Sequence, residues 1–253
     1  MLKKSPVTKK IRKSSLGKTR YLLELMGSQG TVRNFKSDPV PNQHLKKILK
    51  AASRAPSGAN TQPWDFIIVK DPEIKKKIAQ IFIYTLRRAK KSDKNFPHHS
   101  GESLWKRFTE TPILIVVCAD TRFMQAYPKF GYREEIFNIS MGAAIQNMML
   151  TAHALELGLS WGTVGTFGRD KLRKLLGAPS HIRILEVLQL GYPAKHVPPG
   201  FRRDPREFTH FNKLDVSKLR SDEEIENLLL TRKAPDIYSG AENSPIKVAK
   251  VKS

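Results

Sequence analysis

Four short segments of the chain place glycine, other small residues or arginine in stretches that resist regular structure. They are TVRNF (31–35), APSGANTQPW (55–64), SWGTVG (160–165) and FRRDP (201–205). Glycine and alanine let a flat ring approach the backbone, and exposed N–H groups in such loops can donate to ring carbonyls and nitrogens. Arg33, Arg202 and Arg203 offer forked donors suited to a phosphate. On the residues alone, ordinary turns in a basic protein are the competing interpretation.

A second pattern, GLSWG (158–162), matches the G-x-S-x-G motif of serine hydrolases, with Asp170 and His210 downstream. A nucleophile elbow needs a strand before its serine and a helix after it. Here the apolar pattern predicts a long helix before Ser160 and a strand after it. Small residues that end a helix, with Gly158 as the stop, are therefore the better explanation. The seven histidines show no metal-ligand spacing, and no metal site is expected.

Composition predicts a folded cytoplasmic protein. The chain has 253 residues, 40% of them apolar, which suits one large domain or one domain with appendages. The single Cys118 can form no internal disulfide, so a reducing compartment is expected. No apolar run approaches the roughly 20 residues that a membrane-spanning helix needs.

The charge balance favours anionic partners, with 45 Lys and Arg against 23 Asp and Glu. Residues 1–20 carry basic side chains and no acid, and predict a flexible basic tail that either contacts a polyanion or aids solubility. The main domain is expected at 21–215. Residues 216–253 are predicted to form a C-terminal extension, either an arm that docks on a partner subunit or a disordered segment.

Hydrophobic periodicity predicts alternating helices and strands without strict βαβ order, which favours the α+β class. Helices are expected at 42–52, 73–88, 138–157 and 170–176, and strands at 66–69, 113–119, 159–164 and 184–190. Residues 89–102 are polar and aperiodic. They predict a long surface excursion of the kind that often forms a lid.

Taken in order, several segments resemble the nitroreductase family of flavin enzymes. They are TVRNFKSDPVP, AASRAPSGANTQPWDFIIVKDP, PILIVVCAD, AAIQNMMLTAHALELGLSWGTVGTF, LLGAP and LQLGYPAKHVPPGFRRDP, between about residues 21 and 212. The resemblance implies an α+β fold with a central, mostly antiparallel sheet flanked by helices. It also implies an interlocked homodimer with one FMN at each of two sites in the subunit interface.

The same resemblance implies the residues of the FMN site. The first FMN segment of the family matches Gln29, Gly30, Thr31 and Arg33. The loop that flanks the ring, usually from the other subunit, matches Pro56, Ser57, Gly58 and Asn60, and the segment facing the redox-active edge matches Gly162, Thr163, Val164 and Gly165. A late phosphate ligand matches Arg203, with Arg202.

Two departures from the family pattern affect these expectations. Family members commonly carry arginine at the positions of Gly30 and, often, Gln29; a lost charge-assisted contact would weaken phosphate binding by roughly 1.5 to 3 kcal/mol unless another basic residue replaces it. The substrate-holding Glu, Tyr and Lys of iodotyrosine deiodinases are not evident between Leu86 and Arg107. That subfamily is therefore not expected.

The expected function is an FMN-dependent oxidoreductase that passes hydride from NADH or NADPH through flavin N5 to a nitroaromatic, quinone or similar acceptor. No side-chain acid or base is required, because the flavin carries the chemistry. The alternatives are a non-catalytic flavin- or phosphate-binding protein with a nucleic-acid-facing surface, and a serine hydrolase centred on Ser160. The residues do not decide the physiological acceptor or the choice between NADH and NADPH.

Overall fold

The computed structural model describes residues 6–92, 100–125, 134–200 and 202–232, with the backbone alone at 6–15 and 229–232. Its helices are α1 (Pro6–Ser28), α2 (Asn42–Ala52), α3 (Pro72–Ser92), α4 (Gly101–Thr109), α5 (Glu134–Ala154), α6 (Thr166–Leu175) and α7 (Asp222–Arg232). Its strands are β1 (Trp64–Val69), β2 (Ile113–Asp120), β3 (Gly158–Thr163) and β4 (Ile182–Gly191).

The four strands form one sheet in the order β1-β2-β4-β3, and every neighbouring pair is antiparallel. Phe66 pairs with Val117, and Ser160 pairs with Gln189 across the β3–β4 ladder. β2 and β4 are central and buried, as expected for runs dominated by branched aliphatic residues. The predicted α+β class and antiparallel sheet are confirmed.

Helices cover both faces of the sheet, and the alternation of side chains along β2 separates the two cores. Ile115 and Val117 pack with α2 and α5, whereas Leu114 and Val116 pack with α3, α4 and α6. Successive strand side chains point to opposite faces, so one strand serves both layers. We call these the α5 layer and the α3 layer.

The long helix α5 is the centre of its layer. Met141, Ile145 and Met148 are almost fully buried, and the helix packs along α2, where Asn147 Nδ2 donates to the Ala51 carbonyl over 3.2 Å. The helix predicted at 138–157 is therefore confirmed, with both bounds a few residues earlier. Glu156, at φ 60°, takes the left-handed conformation after the helix, whereas Gly158 already belongs to β3.

Two sequence predictions need correction. Residues 6–20 of the predicted flexible basic tail lie within helix α1. Their many Lys and Arg residues are good helix formers, and no proline interrupts the segment after Pro6. The excursion predicted at 89–102 is shorter, because α3 continues to Ser92 and α4 begins at Gly101. Residues 93–99 of that predicted lid lie outside the described residues, and the domain boundaries stay a prediction.

The predicted C-terminal extension contains helix α7, and residues 233–253 lie outside the described residues. Within the described part of the chain, no helix is both long and apolar enough to cross a bilayer.

Candidate functional site

A cavity of about 600 Å³ opens in the α3 layer, beside the end of the edge strand β3. Its lining combines aromatic and aliphatic side chains, small residues and two arginines: Arg33, Phe82, Thr85, Leu86, Ala89, Leu104, Arg107, Phe108, Trp161, Gly162, Thr163, Gly165, Thr166 and Phe167. No Asp or Glu occurs among these described lining residues. The cavity has the size and mixed lining typical of a small-molecule site.

The glycines of the β3–α6 turn shape one wall of this cavity. A Cβ on Gly162 would lie 2.5 Å from the Val187 carbonyl oxygen and 2.6 Å from Gln189 Nε2. A Cβ on Gly165 would lie 2.8 Å from the methyl group of Thr85. Only glycine fits these close approaches, which leave the backbone of the turn bare toward the cavity. Gly162, Thr163 and Gly165 thus line the cavity, whereas Val164 is buried in the core behind it, and the predicted contact of these residues with FMN stays a prediction.

Arg33 reaches the cavity from an extended segment that is pinned to the end of β4. Phe35 forms an isolated antiparallel bridge with Pro193, and the Lys36 amide donates to the Tyr192 carbonyl over 2.8 Å. Val32 is buried beside this bridge. The fixed backbone on both sides positions the Arg33 side chain in the cavity wall.

The second arginine, Arg107, was not among the predicted site residues. Its Nη2 donates to Ser160 Oγ over 2.6 Å, and Nη2 and Nε both donate to Gln189 Oε1, over 3.0 and 3.1 Å. Burial first, and the positive charge of Arg33 second, lowers the pKa of Arg107 to about 10. The guanidinium is therefore still protonated at neutral pH.

Glu186 lies next to this wall, on the strand paired with β3, and one of its oxygens is buried without a hydrogen-bond partner among the described residues. Burial raises the pKa of this carboxyl, while the side chains of Trp161 and Thr163 and the charge of Arg169 oppose the shift. The sequence pattern does not indicate a buried acid at Glu186, because the strand around it is otherwise apolar.

The predicted ring-flanking loop occupies the other layer. The Gly58 amide donates to Ser140 Oγ of α5 over 3.1 Å, and the Gln62 amide donates to Ser57 Oγ over 3.0 Å. Ala59 and Asn60 both take positive φ angles, near 52° and 53°. Pro56 and Asn60 are exposed and Ser57 and Gly58 half-buried, and within one chain none of them lines the cavity.

The segment Gln29–Thr31 lies at a second, smaller recess of about 110 Å³, which Gln29 and Gly30 line together with His153, Lys195 and His196. A Cβ on Gly30 would lie 2.8 Å from the carbonyl oxygens of both Val197 and Pro198. A side chain as large as arginine cannot fit there without moving that loop, which accounts for the glycine at this position. Thr31 is exposed and lines neither opening.

The late arginines are not brought to the large cavity in one chain. The Arg203 guanidinium lies 5.1 Å from the centre of the Phe208 ring, and Arg202 is exposed. Both follow the loop that touches Gly30, since Val197 and Pro198 precede them by only a few residues. Arg202 and Arg203 therefore follow a loop that contacts the first predicted FMN segment, but they do not line the cavity.

The geometry argues against a hydrolase. Ser160 is fully buried inside β3 and accepts a hydrogen bond from Arg107, rather than sitting on an exposed turn between a strand and a helix. Within the described residues, no group of three or more His, Cys, Asp or Glu side chains could hold a metal ion.

Comparison with known proteins gives a consistent picture. The family model described as the nitroreductase family matches residues 29–192. A protein from Archaeoglobus fulgidus, provisionally named NADH dehydrogenase/NAD(P)H nitroreductase, is 31% identical over 175 residues, covering 68% of this chain and 84% of that protein. Iodotyrosine deiodinase 1 from Rattus norvegicus is also 31% identical, over 193 residues that cover 70% of this chain and 64% of the deiodinase.

Two solved structures show the same fold. A protein from Parabacteroides distasonis, with the same provisional nitroreductase name, has 27% identity and a TM-score of 0.59, covering 77% of this chain and 99% of the other. An iodotyrosine deiodinase bound to FMN and 3-iodo-L-tyrosine has 24% identity and a TM-score of 0.61, covering 76% and 100%. With its antiparallel sheet, its glycine-walled cavity and a family match from 29 to 192, this chain belongs to the nitroreductase family.

Proposed function

We propose that this protein is an FMN-dependent oxidoreductase that takes hydride from NADH or NADPH and delivers reducing equivalents to a nitroaromatic, a quinone or a similar acceptor. The observation that carries the proposal is the cavity in the α3 layer. It combines apolar and aromatic walls, bare backbone at Gly162 and Gly165, and two guanidinium groups from Arg33 and Arg107. The names of the relatives support an NAD(P)H-dependent reductase, and one related structure contains FMN.

The residues present fit the ring end of FMN. The glycine turn lets a flat ring approach the backbone, and its amides can donate to ring heteroatoms near the reactive edge. Arg33 would hold the pyrimidine end and stabilise the negative charge that develops there on reduction. When bound, FMN supplies hydride acceptance and release, which no side chain of the chain can perform.

The phosphate end is assigned to the region around Gly30, where Gln29, Thr31, Arg202 and Arg203 belong to neighbouring segments. The Gly30 backbone packs against the loop that leads to both arginines. We expect those arginines to replace the charge that the family usually places at position 30. Replacing Arg203 with Gln should then weaken FMN binding about ten- to hundredfold, and equilibrium titration with FMN measures that change.

The site is proposed to be completed in a homodimer. Pro56, Ser57, Gly58 and Asn60 do not line the cavity of their own chain, so a second copy would have to bring them to the ring. Large apolar side chains exposed in one chain, such as Phe211 at 81% and Val216 at 72%, are consistent with an interface. Sedimentation of the purified protein tests this arrangement.

The purified protein itself provides the first test. A yellow preparation that releases FMN on denaturation, and that oxidises NADH or NADPH only when a nitroaromatic or quinone is present, is the expected result. Protein that binds FMN but never consumes NAD(P)H would instead favour the non-catalytic alternative. Protein that ignores added FMN would reject both.

Reductive deiodination is a second candidate, since several deiodinases are about 30% identical to this chain. It requires the same flavin chemistry with a halogenated tyrosine as acceptor. Reducing the protein and adding 3-iodo-L-tyrosine separates the two candidates: iodide release comparable with nitroaromatic reduction would favour the deiodinase. No iodide above background would favour the reductase.

A further inference from the structure

Arg107 is a half-buried cation whose hydrogen-bond partners are all neutral. Its hydrogen bonds go to Ser160 Oγ, Gln189 Oε1 and, at 3.4 Å, the Trp161 carbonyl. No carboxylate among the described residues pairs with it. Removing a guanidinium from water costs several kcal/mol unless a counter-charge accompanies it. The positive charge is therefore left uncompensated beside the cavity.

The neighbouring residues hold this guanidinium in one orientation. Gln189 Nε2 donates to the Val187 carbonyl over 3.1 Å, which directs Oε1 of the same amide toward Arg107. The bare Cα of Gly162 allows that arrangement, because a Cβ there would lie 2.6 Å from Nε2. The fork is fixed through Nε and Nη2, and Nη1 makes no hydrogen bond to any described residue.

A second cation faces the same space. Arg33 lines the cavity, and its charge contributes to the lowered pKa of Arg107, so the two guanidinium groups repel each other across the cavity lining. An anion bound between them would relieve the repulsion and fill the two open donor positions on Nη1. Most other side chains of the wall are aromatic or aliphatic, including Phe82, Phe108 and Phe167.

We propose that Arg107 recognises the carboxylate of an aromatic electron acceptor, so that this enzyme prefers anionic aromatic acceptors to neutral ones of the same shape. The proposal rests on the proposed flavin function and deepens it. Arg33 is assigned to the cofactor, whereas Arg107 reaches the cavity from α4 and is held by side chains of β3 and β4. A flat ring would stack among the phenylalanines while its carboxylate met the guanidinium fork.

The experiment compares two acceptors that differ only in charge, 4-nitrobenzoate and 4-nitrobenzamide, with the flavin-loaded protein. The variants are Arg107→Gln and, as the matched control, Lys106→Gln, an exposed neighbour on the same helix that pairs with Glu102. Wild type should have the lower KM for the benzoate. Arg107→Gln should raise that KM about ten- to hundredfold while changing the KM for the amide less than threefold. The control should change neither.

Two further measurements keep the outcomes distinct. The Kd for FMN, from equilibrium titration, should be nearly the same in Arg107→Gln and wild type; a large loss of FMN affinity, or an equal loss with both acceptors, would overturn the proposal by assigning Arg107 to the cofactor. Calorimetric titration of non-reducible benzoate and benzamide should give the same preference for the anion without turnover.

The wild-type KM values for the two acceptors also test the proposal if the Arg107→Gln variant does not fold. Equal KM values for the two acceptors in wild type would overturn the proposal while leaving the flavin function intact. Failure of the proposed function looks different, because the wild-type protein would then bind no FMN or consume no NAD(P)H with either acceptor.

Discussion

The two layers of helices differ in what they bury against the same sheet. The α5 layer is filled with apolar side chains, and Ser140 is its buried polar side chain on a helix, bonded to the chain's own backbone. The α3 layer contains a cavity of about 600 Å³ and two cations held by neutral acceptors, the buried Lys75 and the half-buried Arg107. The α5 layer is closely packed, whereas the α3 layer is less closely packed and leaves volume for a small molecule.

The two cations of the α3 layer differ in whether they border the cavity. Lys75 Nζ donates to the Thr111 carbonyl over 2.9 Å, and burial lowers its pKa, but it does not line the cavity. Arg107 is also held by neutral acceptors, yet its guanidinium borders open volume. A buried cation beside a cavity can gain an anionic partner from solution, whereas one enclosed by backbone cannot.

The largest expected effect is a loss of stability in the α5 layer. Phe137 of α5 is fully buried, and Phe137→Ala should lower the free energy of unfolding by about 3–5 kcal/mol, because its contacts are lost on all sides. Phe108→Ala should cost less, toward about 3 kcal/mol, since that ring already borders the cavity. Urea unfolding at one fixed protein concentration measures both. Equal losses, or a larger loss for Phe108, would contradict the comparison.

A smaller effect is expected at the wall of the cavity. Gly162→Ala should destabilise by about 1–3 kcal/mol, because its Cβ would meet Val187 O and Gln189 Nε2. Gly142→Ala is the matched control, in helix α5 with no atom within 4 Å of the added Cβ, and should stabilise by about 0.5–1 kcal/mol. Thermal unfolding of the two variants should therefore shift in opposite directions. A tolerated Gly162→Ala would mean that the wall is not tightly closed.

The loop that returns toward the α5 layer gives a third prediction. Ser140→Ala removes the acceptor for the Gly58 amide and should lower the free energy of unfolding by about 0.5–1.5 kcal/mol. Ser103→Ala, at an exposed position of α4, should stay within about 0.5 kcal/mol of wild type. Urea midpoints compare the two. If the Ser140 variant matched the Ser103 control, the anchoring of this loop to α5 would be refuted.

The regular elements of both layers could be predicted from local pattern. The run of branched residues at 113–119 predicts a central strand, and the apolar residues from Met141 to Met148 predict a buried helix. Neither prediction needs information about tertiary contacts. The resemblance already assigned the turn at Gly162 and Gly165 to a ring, and that role stays a prediction. The strand order could not be predicted, because it depends on long-range pairing.

Arg107 shows what sequence reasoning could not reach. The spacing of Leu104 and Phe108 would have predicted α4, but not that the intervening arginine turns inward, since that direction depends on Ser160 and Gln189 from two other strands. A charged residue on a short amphipathic helix is normally expected to face water. Likewise, the place of the loop at Pro56 in the other layer follows from tertiary contacts with α5.

The smallest expected effect concerns Glu186 of β4, whose carboxyl lies beside Trp161 and Thr163 of the cavity wall. Because burial raises the pKa of this carboxyl, the folded protein binds its proton more tightly than the unfolded chain does. Its contribution to stability is complete below the ordinary Glu pKa and is lost as the pH rises through the raised pKa. Glu186→Gln should therefore match wild type near pH 4 and be more stable than wild type at pH 7.5.

Urea unfolding at both pH values, with the exposed Glu226→Gln of α7 as control, measures the difference. The control should follow wild type at each pH, since this side chain is exposed on the surface of α7. A Glu186→Gln variant less stable than wild type at pH 7.5 would mean that the ionised carboxyl has a partner, which would place a cation at the unsatisfied oxygen. The buried acid beside the glycine turn would then be part of a charge pair rather than a strained neighbour of the cavity wall.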